Sequence, residues 1–219
     1  SSESPVFLKK NNLYALNLTK QEIGKTGYGI LVEGYMDVIS LYQNGVRNVT
    51  ASLGTALTEN QARLLKRYTG QVILAYDADE AGKNATLRGM EILHKENFRI
   101  KVFSIPDGKD PDDYIKRHGK GGFMQVIKAA LPYAEYKLEL ARAGLNLSGT
   151  EDRLRFLREA VGILRSLSPM EADLYVRKLA TETGISEGAI RAELGRNSQE
   201  KTPVQETRDT GSHMETSIS

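Results

Sequence analysis

Six acidic side chains stand where a parallel α/β fold would do chemistry. Glu33 follows the apolar run Ile30-Leu31-Val32, Asp77 and Asp79 follow the run from Val72 to Tyr76, and Asp110 and Asp112 follow the run that starts at Ile100. Asp37 lies four residues beyond Glu33, on the same side of a predicted helix. In open parallel sheets, ligands bind beyond the carboxyl ends of the strands. Carboxylates gathered there repel one another unless they share a cation, and desolvation in a cleft sharpens the repulsion. The chain has no Cys and only three His, none paired at ligand spacing, so the available donors are hard oxygens. Such donors suit Mg²⁺ or Mn²⁺ better than zinc or copper. Ions held in this way serve phosphoryl transfer. Taken alone, each acid has a plainer reading: the Asp77-Ala78-Asp79 string as a turn or a helix cap, Asp110 as a cap, and Asp37 either as a solvated first-turn acid favoured by the helix dipole or as a residue supporting the site from behind. Together they carry more weight, because folding alone does not demand the same chemical type at three strand ends.

The elements that must position these acids follow from the apolar pattern. Short apolar runs at 30–32, 46–51, 72–76 and 100–104 alternate with helix-period segments, which predicts a mostly parallel sheet of about four strands flanked by helices. The third run is continuously apolar, as expected of a strand buried on both faces. Thr58, three residues before Gln61, has capping-box spacing, and Pro111 occupies a favoured first helical position. Beyond Gly121-Gly122 the strand signals stop. Amphipathic helices are predicted at 123–130, 132–143, 151–167 and 169–183, with a shorter one after Ser186, which together read as a small helical bundle. The tail from Arg196 carries few large apolar residues and is expected to be disordered, and Gly211-Ser212-His213-Met214 looks vector-derived.

Composition sets outer limits. The 219 residues are 40% hydrophobic, enough for one core or two, and 30 basic against 28 acidic residues leave a formal charge of only +2. Any nucleic-acid surface must therefore come from local clustering. No run approaches the length of a membrane span and the first residues lack a signal-peptide pattern, so the chain reads as cytoplasmic, without a membrane partner. Two apparent phosphate loops, at Gly24-Lys25-Thr26 and Gly82-Lys83-Asn84, lack the required earlier glycine or the strand-to-helix context.

Four strings then fall in an order that resembles the bacterial DnaG-type replicative primases: Glu33-Gly34-Tyr35-Met36-Asp37-Val38-Ile39; Ser52-Leu53-Gly54-Thr55-Ala56-Leu57-Thr58; Tyr76-Asp77-Ala78-Asp79 with Ala81-Gly82 and Arg88; and Asp110-Pro111-Asp112. The resemblance covers about residues 1–195 and implies a TOPRIM catalytic domain at 28–120, preceded at 1–27 by the end of a basic subdomain and followed at 121–195 by a helical subdomain, with 196–219 a tail. It implies that Glu33, Asp77 and Asp79 bind catalytic Mg²⁺, with Asp37, Asp110 and Asp112 as further acids and Glu33 also serving proton transfer. It implies nucleotide or nucleic-acid contacts for Lys9. Gly54 and Thr55 would shape the loop beside the metals, and Arg88 is compatible with a phosphate contact and equally with a plain surface position. The implied activity is DNA-directed synthesis of short RNA primers by nucleotidyl transfer, with single-stranded DNA template, ribonucleoside triphosphates and the RNA primer as partners. The family's zinc-binding domain has no ligands here, and the family's helicase-interacting domain is expected to lie outside the chain, which reads as a core with weak activity of its own. Two other readings compete: another TOPRIM enzyme that cleaves DNA, a nuclease or topoisomerase fragment, and a non-catalytic nucleotide-sensing or phospho-receiver module.

Overall fold

The computed structural model describes residues 8–52, 56–103, 105 and 110–196. The chain divides into two compact units, Ser1–Leu140 and Ala141–Ser219. The first alternates helix and strand: α1 Leu16–Thr26, β1 Gly29–Val32, α2 Tyr35–Gln43, β2 Val49–Ala51, α3 Glu59–Lys66, β3 Gln71–Leu74, α4 Glu80–Lys95, β4 Arg99–Val102, α5 Pro111–Lys128, β5 Leu131–Pro132 and α6 Tyr133–Arg142.

The five strands lie in the order β2-β1-β3-β4-β5. The first four are parallel, with Ile30 opposite Val49 and Ile73, and Val72 opposite Ile100. Both central strands are wholly or almost wholly buried, which is why they read as unbroken apolar runs. Side chains alternate between the faces. Ile30, Val32, Ile73 and Ala75 join Val38 and Leu41 of α2 and Ile115, Phe123 and Ile127 of α5 in one core. Leu31, Val72 and Leu74 face the other way, where Ile23, Leu65, Met90 and Leu93 are buried.

The sheet is mostly parallel, as expected, with five strands where about four are predicted. β5 pairs antiparallel with β4, Val102 opposite Leu131, and lies inside the segment assigned to the helical subdomain. The first compact unit accordingly runs twenty residues past the boundary placed at 120. A two-residue strand has no periodicity to read, and α5 crosses that boundary with only a kink at Gly119, where φ is 64°. At the opposite edge, Tyr14 forms an isolated antiparallel bridge with Ala51 of β2, and the Thr50 hydroxyl donates to the Tyr14 carbonyl at 2.7 Å.

The second unit contains α7 Thr150–Leu164, α8 Pro169–Thr183 and α9 Glu187–Arg196. Phe156, Ala160, Val161, Leu164, Val176, Leu179 and Ile190 are its buried residues of lowest exposure. Ser168 and Glu171 form a capping box before α8, and Gly184, at φ 71°, ends it in the left-handed conformation. Among the described residues no helix is long and apolar enough to cross a membrane. The tail beyond Arg196 lies outside the described residues.

Candidate active site

The carboxyl ends of β1 and β3 meet side by side, since the two strands pair in register. Glu33 leaves the end of β1 and its Oε1 accepts from the backbone N–H of Asp77 at 3.3 Å, tying the two strand ends together. The Asp77 Oδ1 is buried and has no hydrogen-bond partner. Asp79 caps α4, its Oδ1 accepting from Gly82 N–H at 2.7 Å. Asp110 caps α5 in the same way, accepting from Asp113 N–H at 2.7 Å. Both acids therefore have the cap role that their spacing allowed, and a capping carboxylate keeps a second oxygen for other partners.

Asp37 departs from the reading as a solvated first-turn acid. It is 7% exposed; its Oδ2 accepts from Gly34 N–H at 3.0 Å and its Oδ1 from Asp112 N–H at 3.3 Å. It thereby holds the turn after β1 against the start of α5. Asp112 in turn binds the Lys116 ammonium at 2.6 Å. That partner was absent from the sequence reading, although its i,i+4 spacing is the signal that could have found it.

Burial and mutual repulsion raise three of these carboxyls. Asp77 is pushed up to about 7 by burial and then by Glu33, Asp37, Asp110 and Asp79. Asp37 rises to about 6, burial outweighing its two backbone hydrogen bonds, with Asp110 and Asp112 adding to the rise. Glu33 is raised by burial and by Asp79, against the Asp77 N–H and the Arg88 guanidinium, which lower it. Asp112 goes the other way: burial raises it, but hydrogen bonds from Lys116 and Ser40 hold it below the usual carboxylate range.

Among the described residues no three acids close into a ready-made metal cage. An orphaned, buried carboxylate oxygen on Asp77, beside Glu33 and near Asp79, is nevertheless the donor chemistry a hard divalent cation takes. Mg²⁺ typically uses one or two carboxylates and completes its shell with water and substrate phosphate. The residues present fit such an ion.

The remaining sequence candidates fall in different places. Lys9 sits in a single 3₁₀ turn, Lys9–Asn11, fastened to α3: the buried Gln61 side chain donates to the carbonyls of Lys9 at 3.0 Å and Asn12 at 2.8 Å, and the Thr58 hydroxyl donates to the Lys10 carbonyl. Gln61 was expected as part of the α3 capping box; its second task, clamping this turn, was not. Arg88 is exposed on α4 and lines a cavity of about 300 Å³ together with Glu33 and Tyr76. Gly54 and Thr55 lie outside the described residues.

The topology and the acids at adjacent strand ends define a TOPRIM domain, and a family profile described as Toprim-like matches residues 30–115. The chain is 47% identical over 191 residues to a DNA primase of Clostridium acetobutylicum, covering 87% of this chain and 32% of that one. It superposes on a DNA primase domain from Pseudomonas aeruginosa with a TM-score of 0.73 at 31% identity, covering 90% of this chain and 62% of that one. It superposes equally well, at 0.73 and 29% identity, on a DnaG primase catalytic domain bound to single-stranded DNA, covering 86% and 61%. The chain belongs with the bacterial DnaG-type primases, as a segment of their TOPRIM-containing catalytic core, and spans about a third of the length of the curated relatives it matches. A second profile, described as the DnaB-helicase binding domain of primase, matches residues 134–188. This corrects the expectation that the helicase-interacting part lies wholly outside the chain. The amphipathic period and the family resemblance both identify the segment as a helical subdomain, and the period reports packing without information about partners.

Proposed function

We propose that this chain supplies the metal-binding half of the catalytic cleft of a DNA primase, a DNA-directed RNA polymerase that makes short RNA primers in the cytoplasm. The observation that carries the reading is the orphaned Asp77 oxygen, held beside Glu33 at the joined ends of β1 and β3. Glu33, Asp77 and Asp79 hold Mg²⁺, or Mn²⁺ in its place, and Asp37, Asp110 and Asp112 surround them. When bound, the ion neutralises the acids and stabilises charge on the phosphates of a ribonucleoside triphosphate. Asp37 keeps the two halves of the acidic loop cluster in register through its paired backbone hydrogen bonds. Glu33, held at the end of β1 beside the Asp77 backbone, is the carboxylate we assign to accept the proton of the attacking primer hydroxyl. Lys9, in its clamped turn, and Arg88 supply positive charge toward template, primer or nucleotide. Single-stranded DNA is the template, consistent with the DNA held by the related catalytic domain. The replicative helicase is the protein partner, through residues 134–188. With near-zero net charge and only part of the cleft, the chain alone binds DNA weakly and primes poorly.

Calorimetric titration with Mg²⁺ and Mn²⁺, with and without a nucleoside triphosphate, tests the reading. Saturable binding strengthened by nucleotide and lost in Asp77→Asn is the expected result. Binding indifferent to that substitution would remove the mechanism. Metal-dependent nicking of plasmid would instead favour the DNA-cleaving alternative.

A further inference from the structure

We propose that the cavity between the ends of β1 and β3 and the flank of α4 that carries Ala81, Ala85 and Arg88 is the seat of a nucleobase, so that a bound nucleotide lies with its phosphates at the acids and its ring against that flank. The proposal rests on the primase reading for the phosphate end and on the cavity itself for the base.

The cavity encloses about 300 Å³ and runs from Glu33 past Tyr76 to Arg88, with Ala56, Leu57 and Ala85 among its walls. That is the low end of ligand-pocket size, too small for a whole nucleoside triphosphate and sufficient for one end of it. The character of the walls decides which end. Short apolar side chains form a smooth surface that a planar ring can lie against, whereas a phosphate there would lose its hydration to alanine and leucine and face the Glu33 carboxylate. Two of the polar groups at its wall, Tyr76 and Arg88, can donate to a ring. The Tyr76 hydroxyl is buried without a partner, in a residue only 5% exposed, and an unpaired buried hydroxyl costs about 1–3 kcal/mol. Arg88 makes no ion pair or hydrogen bond with any described residue, although it is close enough to Glu33 to pull that carboxyl down. Its flat guanidinium can stack on a ring or donate to ring nitrogens and keto oxygens. Gly89, one residue on, leaves the Tyr76 ring room against α4, where a Cβ would meet it only at ordinary contact, 3.7 Å.

Ala85→Leu, which fills the cavity with a good helix former, is compared with wild type in the full chain. Three probes are used with Mg²⁺: ATP, inorganic tripolyphosphate and adenosine. ATP is expected to bind at least tenfold more weakly to the variant, tripolyphosphate equally to both, and adenosine to shift the methyl resonances of Ala56 and Ala85 in wild type. Arg88→Ala, at an exposed position that does not threaten the fold, is expected to weaken ATP severalfold and spare tripolyphosphate. Parallel loss of tripolyphosphate in both variants would show that the cavity holds phosphates and overturn the proposal. So would ATP binding unchanged in Ala85→Leu, or adenosine that moves neither methyl. Wild type that binds adenosine in this place, yet shows no metal-dependent ATP binding, would uphold the pocket and remove the primase reading.

Discussion

Gly82 lies so close to the backbone of Asp77 that a Cβ at 82 would stand 2.2 Å from the Asp77 carbonyl oxygen. The same residue donates its N–H to the Asp79 carboxylate at 2.7 Å. One glycine thus seats the first turn of α4 on one aspartate and orients the other. Gly82→Ala must lift α4 off the strand end, because the obstructing atom is backbone and cannot swing aside. We expect a loss of about 1–3 kcal/mol, read as a lower midpoint in urea, together with weaker Mn²⁺ binding. Gly89→Ala, on the same helix but with its nearest neighbours at 3.7 Å, is the control and should leave stability unchanged or raise it.

The raised Asp77 carboxyl makes the metal-free protein sensitive to pH. An ordinary aspartate near 3.8 in the unfolded chain rises to about 7 here, so the folded state holds the extra proton between those values. Stability is therefore highest below the unfolded value and falls as pH rises toward 7, the reverse of a salt-bridged carboxylate. Partial solvent access reduces the effect to on the order of 1–2 kcal/mol. Thermal melts in chelator from pH 4.5 to 8 should show this decline, Asp77→Asn should reduce it to the part that Asp37 and Glu33 contribute, and Mg²⁺ should diminish it more in wild type than in Asp77→Asn.

Thr58 and Gln61 bind the turn that carries Lys9. Gln61→Leu leaves the carbonyls of Lys9 and Asn12 without the amide that both accept from, and removes half of the α3 capping box. A cost of about 1–3 kcal/mol is expected. The distinguishing readout is local: amide exchange at 9–12 should accelerate more than exchange in β3, because the clamp holds this turn and the sheet core does not depend on it.

Phe123 lies beyond the boundary suggested by the loss of strand signals, yet it is fully buried in the sheet core against Phe103. Phe123→Ala should cost about 3–5 kcal/mol of first-unit stability. Truncation after residue 120 should give an unfolded product and truncation after 140 a folded one. A folded 1–120 chain would show that the second half of α5 is dispensable.

The four parallel strands were legible because burial on both faces writes an uninterrupted apolar run, and the Thr58, Asp79 and Asp110 caps because a short polar side chain three residues before its N–H target has few other uses. β5 was hidden: Leu131-Pro132 is too short for any period, and its pairing is decided by β4 alone. Among the acids, positions at strand ends were visible in the sequence, but their inequality was not. Asp37 is buried and doubly bonded, Asp112 is held down by Lys116, and Asp77 is left unpaired, distinctions that arise only when α2, α4 and α5 converge. The cavity under α4 likewise could not be read, since Tyr76 and Arg88 look like a strand residue and a surface cation until the helix is laid over the sheet.

Both lateral margins of the sheet carry short antiparallel partners, a single bridge from Tyr14 to Ala51 of β2 and the two-residue pairing of Leu131-Pro132 with β4. An open margin of parallel strand offers a template on which a second chain can extend the ladder, and proline in the outermost strand cannot donate to a newcomer. Among the described residues these partners shorten the free ladder at each margin, which disfavours strand-to-strand joining there. The sheet's contribution to the acidic cleft is positional: its paired β1 and β3 set Glu33 and Asp77 side by side.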